Sequence, residues 1–392
     1  MIPMSYKIRT RVEHFDRDGK PKRILALDGG GLRGILTVGF LQKVEELLRA
    51  RHGGDAGFRL CHYFDLIAGT STGAIIAGAL ALGWSVEEIR AKYMTLGKAV
   101  FEKSFLRQGL FRAKYDAEKL SEELKAVYGA RTVLGGSELL TGLMIVAKRL
   151  DSGSPWPISN NPRGKYFAGR EGGVIGNGDY PLWQVVRAST AAPVYFEPER
   201  ITIASAPGMK PVQGDFVDGG VSPYNNPALQ ALMYATLEGY RIGWPLGADE
   251  LLLVSVGTGA ADAGVRTAAL AAQHGIRSLV SLMQDSAVLQ ETVLQWMSSS
   301  ATARPFDREI GDLRHDLVAG VPLISYLRYN VDLGKEGVQR LDPALNDDAM
   351  IASFVEMDAP ENMDALHRLG CLAAERDVRD KDFPAGFDLA QA

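Results

Sequence analysis

Twice in its first eighty-odd residues the chain repeats one order of events: a short apolar run, a turn of glycine and small residues, then apolar residues at helical spacing. The first pass takes "RILALDGGGLRG" into "LTVGFLQKVEELLRA" and stops at "HGGDAG"; the second takes "YFDLIAGTSTG" into "AIIAGALALGW". A strand that turns through glycine straight into a helix is half of a parallel crossover. Two in succession predict an α/β fold around a mostly parallel central sheet. Ligands of such sheets gather beyond the carboxyl ends of the strands, where both glycine turns fall.

Further along, "LLTGLMIVAKRL", "GDFVDGG" and "ELLLVSVGTG" read as additional strands, and "LISYLRYNVDL" as an added one. "SVEEIRAKYMTLGKAVF", "DAEKLSEELKAVYG" and "PLWQVVRAS" read as helices, the first opened by Ser85 and Glu88 at capping-box spacing. Residues Asp151 to Tyr180, rich in Gly, Pro, Asn and Ser, read as one long loop. The expected organisation is an N-terminal extension over 1–22, a catalytic core over 23–259, and a mainly helical C-terminal portion over 260–392 packed on that core. Within that portion, the segment from Ser278 carries an apolar stripe (Leu279, Val280, Leu282, Met283, Val288, Leu289, Val293, Leu294, Met297). Such a stripe packs on the sheet or faces a lipid or partner.

Lys and Arg number 43 against 47 Asp and Glu, a net charge of -4, which gives no electrostatic footprint for a nucleic acid polymer. Two distant cysteines, Cys61 and Cys371, in 392 residues point to a reducing compartment rather than a disulfide framework. The amino terminus lacks the apolar core of a secretory signal. The longest apolar stretch, Gly73 to Trp84, is short of the ~18 to 20 residues that span a bilayer. The expectation is a soluble, cytoplasmic protein, with peripheral contact at the inner face of a membrane allowed.

The turn "GTSTG" places Ser71 between Gly69 and Gly73 at a strand-to-helix junction. There a sharp, strained backbone exposes the hydroxyl as a nucleophile while the glycines relieve the crowding. A serine needs a base. None of the six histidines (His14, His52, His62, His274, His315, His367) sits in a glycine turn at a strand end, but Asp218 does, followed by Gly219 and Gly220. Burial raises a carboxylate's proton affinity toward that of a working base. The order Ser71, Asp218, then His274 or His315 also permits a triad of the α/β-hydrolase kind. Three bare glycines, Gly29, Gly30 and Gly31, offer backbone N–H groups for the oxyanion of acyl transfer, with Arg33 adding positive potential. "GGGLRG" also satisfies G-x-G-x-x-G, but the acidic residue a dinucleotide ribose requires at the end of the second strand is replaced by the serine turn.

Together, "DGGGLRG" at 28–34, "GTSTG" at 69–73, "ASTAAPVYF" at 188–196, "DGGVSPYNNP" at 218–227 and "VSVGTG" at 254–259 resemble the patatin-like phospholipase family, in its order. The resemblance covers about Ile24 to Gly259. It implies a three-layer α/β/α fold, a Ser71–Asp218 dyad, an oxyanion hole at Gly29 to Gly31, and Arg33 in the family's basic position. It also implies a calcium-independent acyl hydrolase for a lipid or fatty ester, with no cofactor or metal. Gly220 stands where many members carry alanine. Some members are storage proteins, and some bacterial ones are membrane-degrading effectors gated by a second messenger; the tail after Gly259 and the 151–180 stretch are where such gating would lie.

Overall fold

The computed structural model describes residues 6–100, 116–260 and 271–391, the side chains of 271–280 excepted. Among the described residues the strands are β1 Lys22–Leu27, β2 Leu66–Thr70, β3 Gly142–Arg149, β4 Pro155–Ser159, β5 Glu199–Ala204, β6 Val212–Asp218, β7 Leu251–Val256, β8 Ser298–Ser299 and β9 Ile324–Tyr329. They form one sheet in the order β5-β6-β3-β2-β1-β7-β9-β8, with β4 paired to β3 off this path. The central run from β3 to β8 is parallel, while β4, β5 and β6 pair antiparallel. The α/β class with a mostly parallel sheet is therefore observed directly.

Every residue of β1, β2 and β7 is buried, as expected of parallel strands covered on both faces. Alternation along β1 sends Leu25 and Leu27 into one apolar cluster and Ile24 and Ala26 into another. The larger cluster is closed by the helices Gly34–Arg51, Thr72–Ala81 and Met363–Asp377; the smaller lies beneath Ala228–Thr236. Helices thus cover both faces. Met363–Asp377 packs on Gly34–Arg51 so closely that a side chain on Gly39 would meet the backbone of Gly370.

One expectation needs correction, and one strand had not been anticipated. The stretch from Asp151 to Tyr180 is not loop throughout, because Pro155–Ser159 pairs antiparallel with Met144–Lys148. Pro155 and Pro157 disguise it; proline is tolerated there because β4 has a neighbour on one side only. The strand β5, not foreseen, lies at the outer edge and carries Glu199 and Arg200, so it lacks the apolar run that marks β1 or β7. The segment "LISYLRYNVDL" does supply a strand, β9, beside β7. Residues 6–21 lie on the body of the molecule: Tyr6 bridges to Gln391, and Arg9 and His14 reach the buried Asp65.

Candidate active site

Register along β3 brings the candidate side chains of Ser71 and Asp218 together. Parallel pairing sets Thr70 beside Val146, and antiparallel pairing sets Asp218 opposite Ala147, the next residue. The carboxyl ends of β2 and β6 thus meet end to end at adjacent residues along one edge of β3, β4 occupying the other. Ser71 follows β2 at once and adopts φ 55, ψ -125 before the helix Thr72–Ala81, the strained elbow expected from the glycines. Side chains at Gly69 or Gly73 would collide with the backbone of Gly73 and of Leu27 respectively. Both positions are closed to any larger residue.

Ser71 Oγ donates to Asp218 Oδ2 at 2.6 Å, and both residues are buried. The other carboxylate oxygen accepts from the Gly220 N–H at 2.7 Å. Burial pushes the Asp218 carboxyl up to about 6, against the opposing pull of the Ser71 and Gly220 hydrogen bonds and the charge of Arg187. The elbow is held from behind: Ser71 N–H donates to Ser189 Oγ at 2.9 Å, and that hydroxyl donates to Val146 O at 2.6 Å. Gly219 lies so near Val146 O that a Cβ there would clash with it.

The glycine loop reaches the same place from β1. Gly29 N–H is committed to Asn225 O at 3.1 Å, so the three expected donors are not equivalent. Among the described residues the Gly30 and Gly31 N–H groups have no acceptor, and both glycines line a cavity of about 350 Å³ with Ser71 and Asp218. Gly31 takes φ +60, and a side chain there would strike Met357. The rest of the cavity is walled mainly by apolar side chains, among them Leu32, Ile75, Leu96, Leu120 and Phe196.

Arg33 stands apart from this cavity. Its side chain is buried, donates from Nε to Gly30 O at 3.4 Å, and lines a second, more polar cavity of about 1210 Å³. Burial brings its pKa down to about 10 against the influence of Tyr195 and Asp28, so it stays charged at neutral pH. The two cavities share Asn225, Met283 and Met357.

Of the histidines with described side chains, none contacts the pair. His14 meets Asp65 at 2.9 Å, His52 lies against Leu48 O and the Leu389 N–H, His62 meets Tyr6, His367 meets Gln42, and His315 is exposed. The side chain of His274 lies outside the described residues. Among the described residues no cluster of three His, Cys, Asp or Glu is placed to hold a metal ion, and no helix is long and apolar enough to cross a membrane.

Arg328, on β9, had no signal in the sequence. It grips Asp28 with both ends of its guanidinium, at 3.0 and 2.6 Å, and donates to Ser255 Oγ at 2.7 Å. The residue that opens the glycine loop is thus anchored from the C-terminal portion. Ser189, Asn225 and Thr258 lie inside the sequence motifs, yet only their hydrogen bonds to neighbouring loops reveal what they hold.

A serine on a strained strand-to-helix turn, a carboxylate in contact with it and a glycine loop with two N–H groups unpaired among the described residues form an arrangement able to carry out acyl transfer. The chain matches the patatin-like phospholipase family over residues 25–232 and belongs to it. Similar proteins include a cGAMP-activated phospholipase from Escherichia coli (strain TW11681), 28% identical over 246 residues that cover 61% of this chain and 63% of the relative. A cUMP-AMP-activated phospholipase from Escherichia coli is 34% identical over 215 residues, 55% of this chain and 59% of the relative. An intracellular phospholipase A2 from Caenorhabditis elegans is 32% identical over 219 residues, 55% of this chain but 17% of that larger protein. The chain spans about three fifths of the length of the two bacterial relatives.

Proposed function

We propose that this chain is a calcium-independent lipid acyl hydrolase that works through a Ser71–Asp218 dyad. As Ser71 Oγ adds to the carbonyl carbon of a fatty ester, Asp218 Oδ2 takes its proton. The oxyanion formed falls to the Gly30 and Gly31 N–H groups, and donors so placed are worth several kcal/mol. Collapse expels the alcohol, which takes the proton from Asp218, and leaves the acyl chain on Ser71. Water, deprotonated by the same carboxylate, then releases the fatty acid and restores the serine. The observation that carries this reading is the 2.6 Å hydrogen bond at the wall of an apolar cavity. With that contact made directly, no imidazole is interposed, which favours the dyad over the triad.

The decisive experiment is mass spectrometry of products from mixed phospholipid vesicles, with Ser71→Ala as the blank. Free fatty acid and lysolipid from the parent alone support the proposal; equal products from both proteins overturn it. Helix Ala271–Trp296 adds an argument for peripheral membrane contact: Leu282, Leu289 and Trp296, seven residues apart, are 62%, 65% and 42% exposed. Two free thiols fit a cytoplasmic setting.

A gated form of the same activity is the second reading. It rests on the polar cavity that shares Asn225, Met283 and Met357 with the acyl cavity, so a ligand in one touches the wall of the other. Bacterial relatives are cyclic-dinucleotide-activated by name. Turnover that rises on adding cGAMP or cUMP-AMP supports gating, and full turnover without either argues against it.

A further inference from the structure

Thr258 belongs to the "VSVGTG" motif, which the dyad and the glycine donors leave without a task. Its hydroxyl is 4% exposed as a residue and donates to Gly29 O at 2.9 Å. The same carbonyl accepts from Asn225 Nδ2 at 3.3 Å, while Gly29 N–H donates back to Asn225 O. Thr258 is placed there by strand register: β1 and β7 pair Leu27 with Val256, and Thr258 is the second residue past that pair. It sits so close behind Gly30 that a Cβ on the glycine would overlap its hydroxyl.

A peptide unit is planar and trans, so its C=O and the following N–H point in opposite directions. Fixing Gly29 O toward Thr258 and Asn225 therefore turns the Gly30 N–H the other way, and Gly30 lines the same cavity as Ser71. Donation into the carbonyl also polarises the amide and strengthens its N–H as a donor, because hydrogen bonds in series reinforce one another. We propose that Thr258, with Asn225 beside it, is a positioning residue for the oxyanion hole, clamping the Gly29–Gly30 peptide so that Gly30 N–H meets the oxyanion. This rests on the acyl-hydrolase reading above.

The test compares Thr258→Val, which keeps the shape and removes the donor, with Thr258→Ser, which restores it. Removing an oxyanion donor outright costs about 10²- to 10³-fold in kcat, and loosening one costs less. Thr258→Val is expected to lose roughly 10- to 100-fold in kcat on a p-nitrophenyl ester with KM within about twofold. Its affinity for a trifluoromethyl ketone, which forms the tetrahedral oxyanion on Ser71, falls by the same factor, while binding of the matching ether is unchanged. Thr258→Ser stays within about threefold of the parent. Should the valine protein not fold, Thr258→Ala repeats the comparison without a methyl against the acceptor. Parental kcat in the variant, or equal loss of ketone and ether binding, overturns the clamp while leaving the hydrolase reading intact. A parent whose ester turnover survives Ser71→Ala overturns both.

Discussion

Replacing Asp218 by Asn is expected to abolish hydrolysis and to stabilise the fold, and the second effect is the sharper test. In the native protein this carboxyl is moved from its ordinary 3.8 up to about 6 by burial. The folded state therefore binds a proton that the unfolded chain has released. Stability is lost as pH rises from about 4 to about 6 and stays lost above. Each tenfold change in proton affinity is worth about 1.4 kcal/mol, so roughly two such steps set an upper figure of about 3 kcal/mol for the ionised carboxylate at neutral pH. Asparagine keeps the shape, accepts from the Gly220 N–H through its oxygen and donates to Ser71 Oγ through its amide, so the local bonds survive. A gain of about 1 to 3 kcal/mol at pH 7.5, shrinking to under about 1 kcal/mol at pH 4, is expected. The assay is a pair of denaturant or thermal melts of parent and variant at the two pH values. A variant no more stable than the parent at pH 7.5, or a gain of the same size at pH 4, refutes the reasoning that the base is held at an energetic cost.

The same titration governs the parent's rate: kcat/KM is expected to fall about tenfold for each pH step below about 6 as Asp218 takes up its proton, and a profile flat down to pH 4.5 would contradict it. Arg328→Met leaves Asp28 buried without its partner and is expected to cost about 3 to 5 kcal/mol in urea melts, with part recovered by adding Asp28→Asn; an unshifted midpoint counts against the anchor. Leu289→Asp, on the exposed stripe, is expected to weaken sedimentation with phospholipid vesicles several-fold while p-nitrophenyl ester turnover stays at the parental rate. Unchanged sedimentation removes that stripe from the membrane surface.

The elements legible in the sequence are those whose chemistry is local. A run such as "RILALDGGG" states both the buried strand and its abrupt end, and the glycines around Ser71 declare a backbone that other residues would obstruct. Asp218 was legible for the same reason, since "DGG" closes a strand. What stayed hidden was pairing over long chain separations. Nothing near Arg328 announces a carboxylate three hundred residues earlier, and nothing in "DGGG" shows that Asn225 O already occupies the Gly29 N–H. The strands β4 and β5 were obscured by prolines and charges that an edge position tolerates.

Because β3 serves as a common ruler for β2 and β6, the spacing of Ser71 and Asp218 belongs to the sheet rather than to any loop above it. The proposed dyad is preassembled, its two side chains already hydrogen-bonded. If turnover is controlled, the control must fall on admission of the acyl chain to the cavity, so a small serine-directed phosphonylating agent should find Ser71 equally competent in the resting and the switched-on protein.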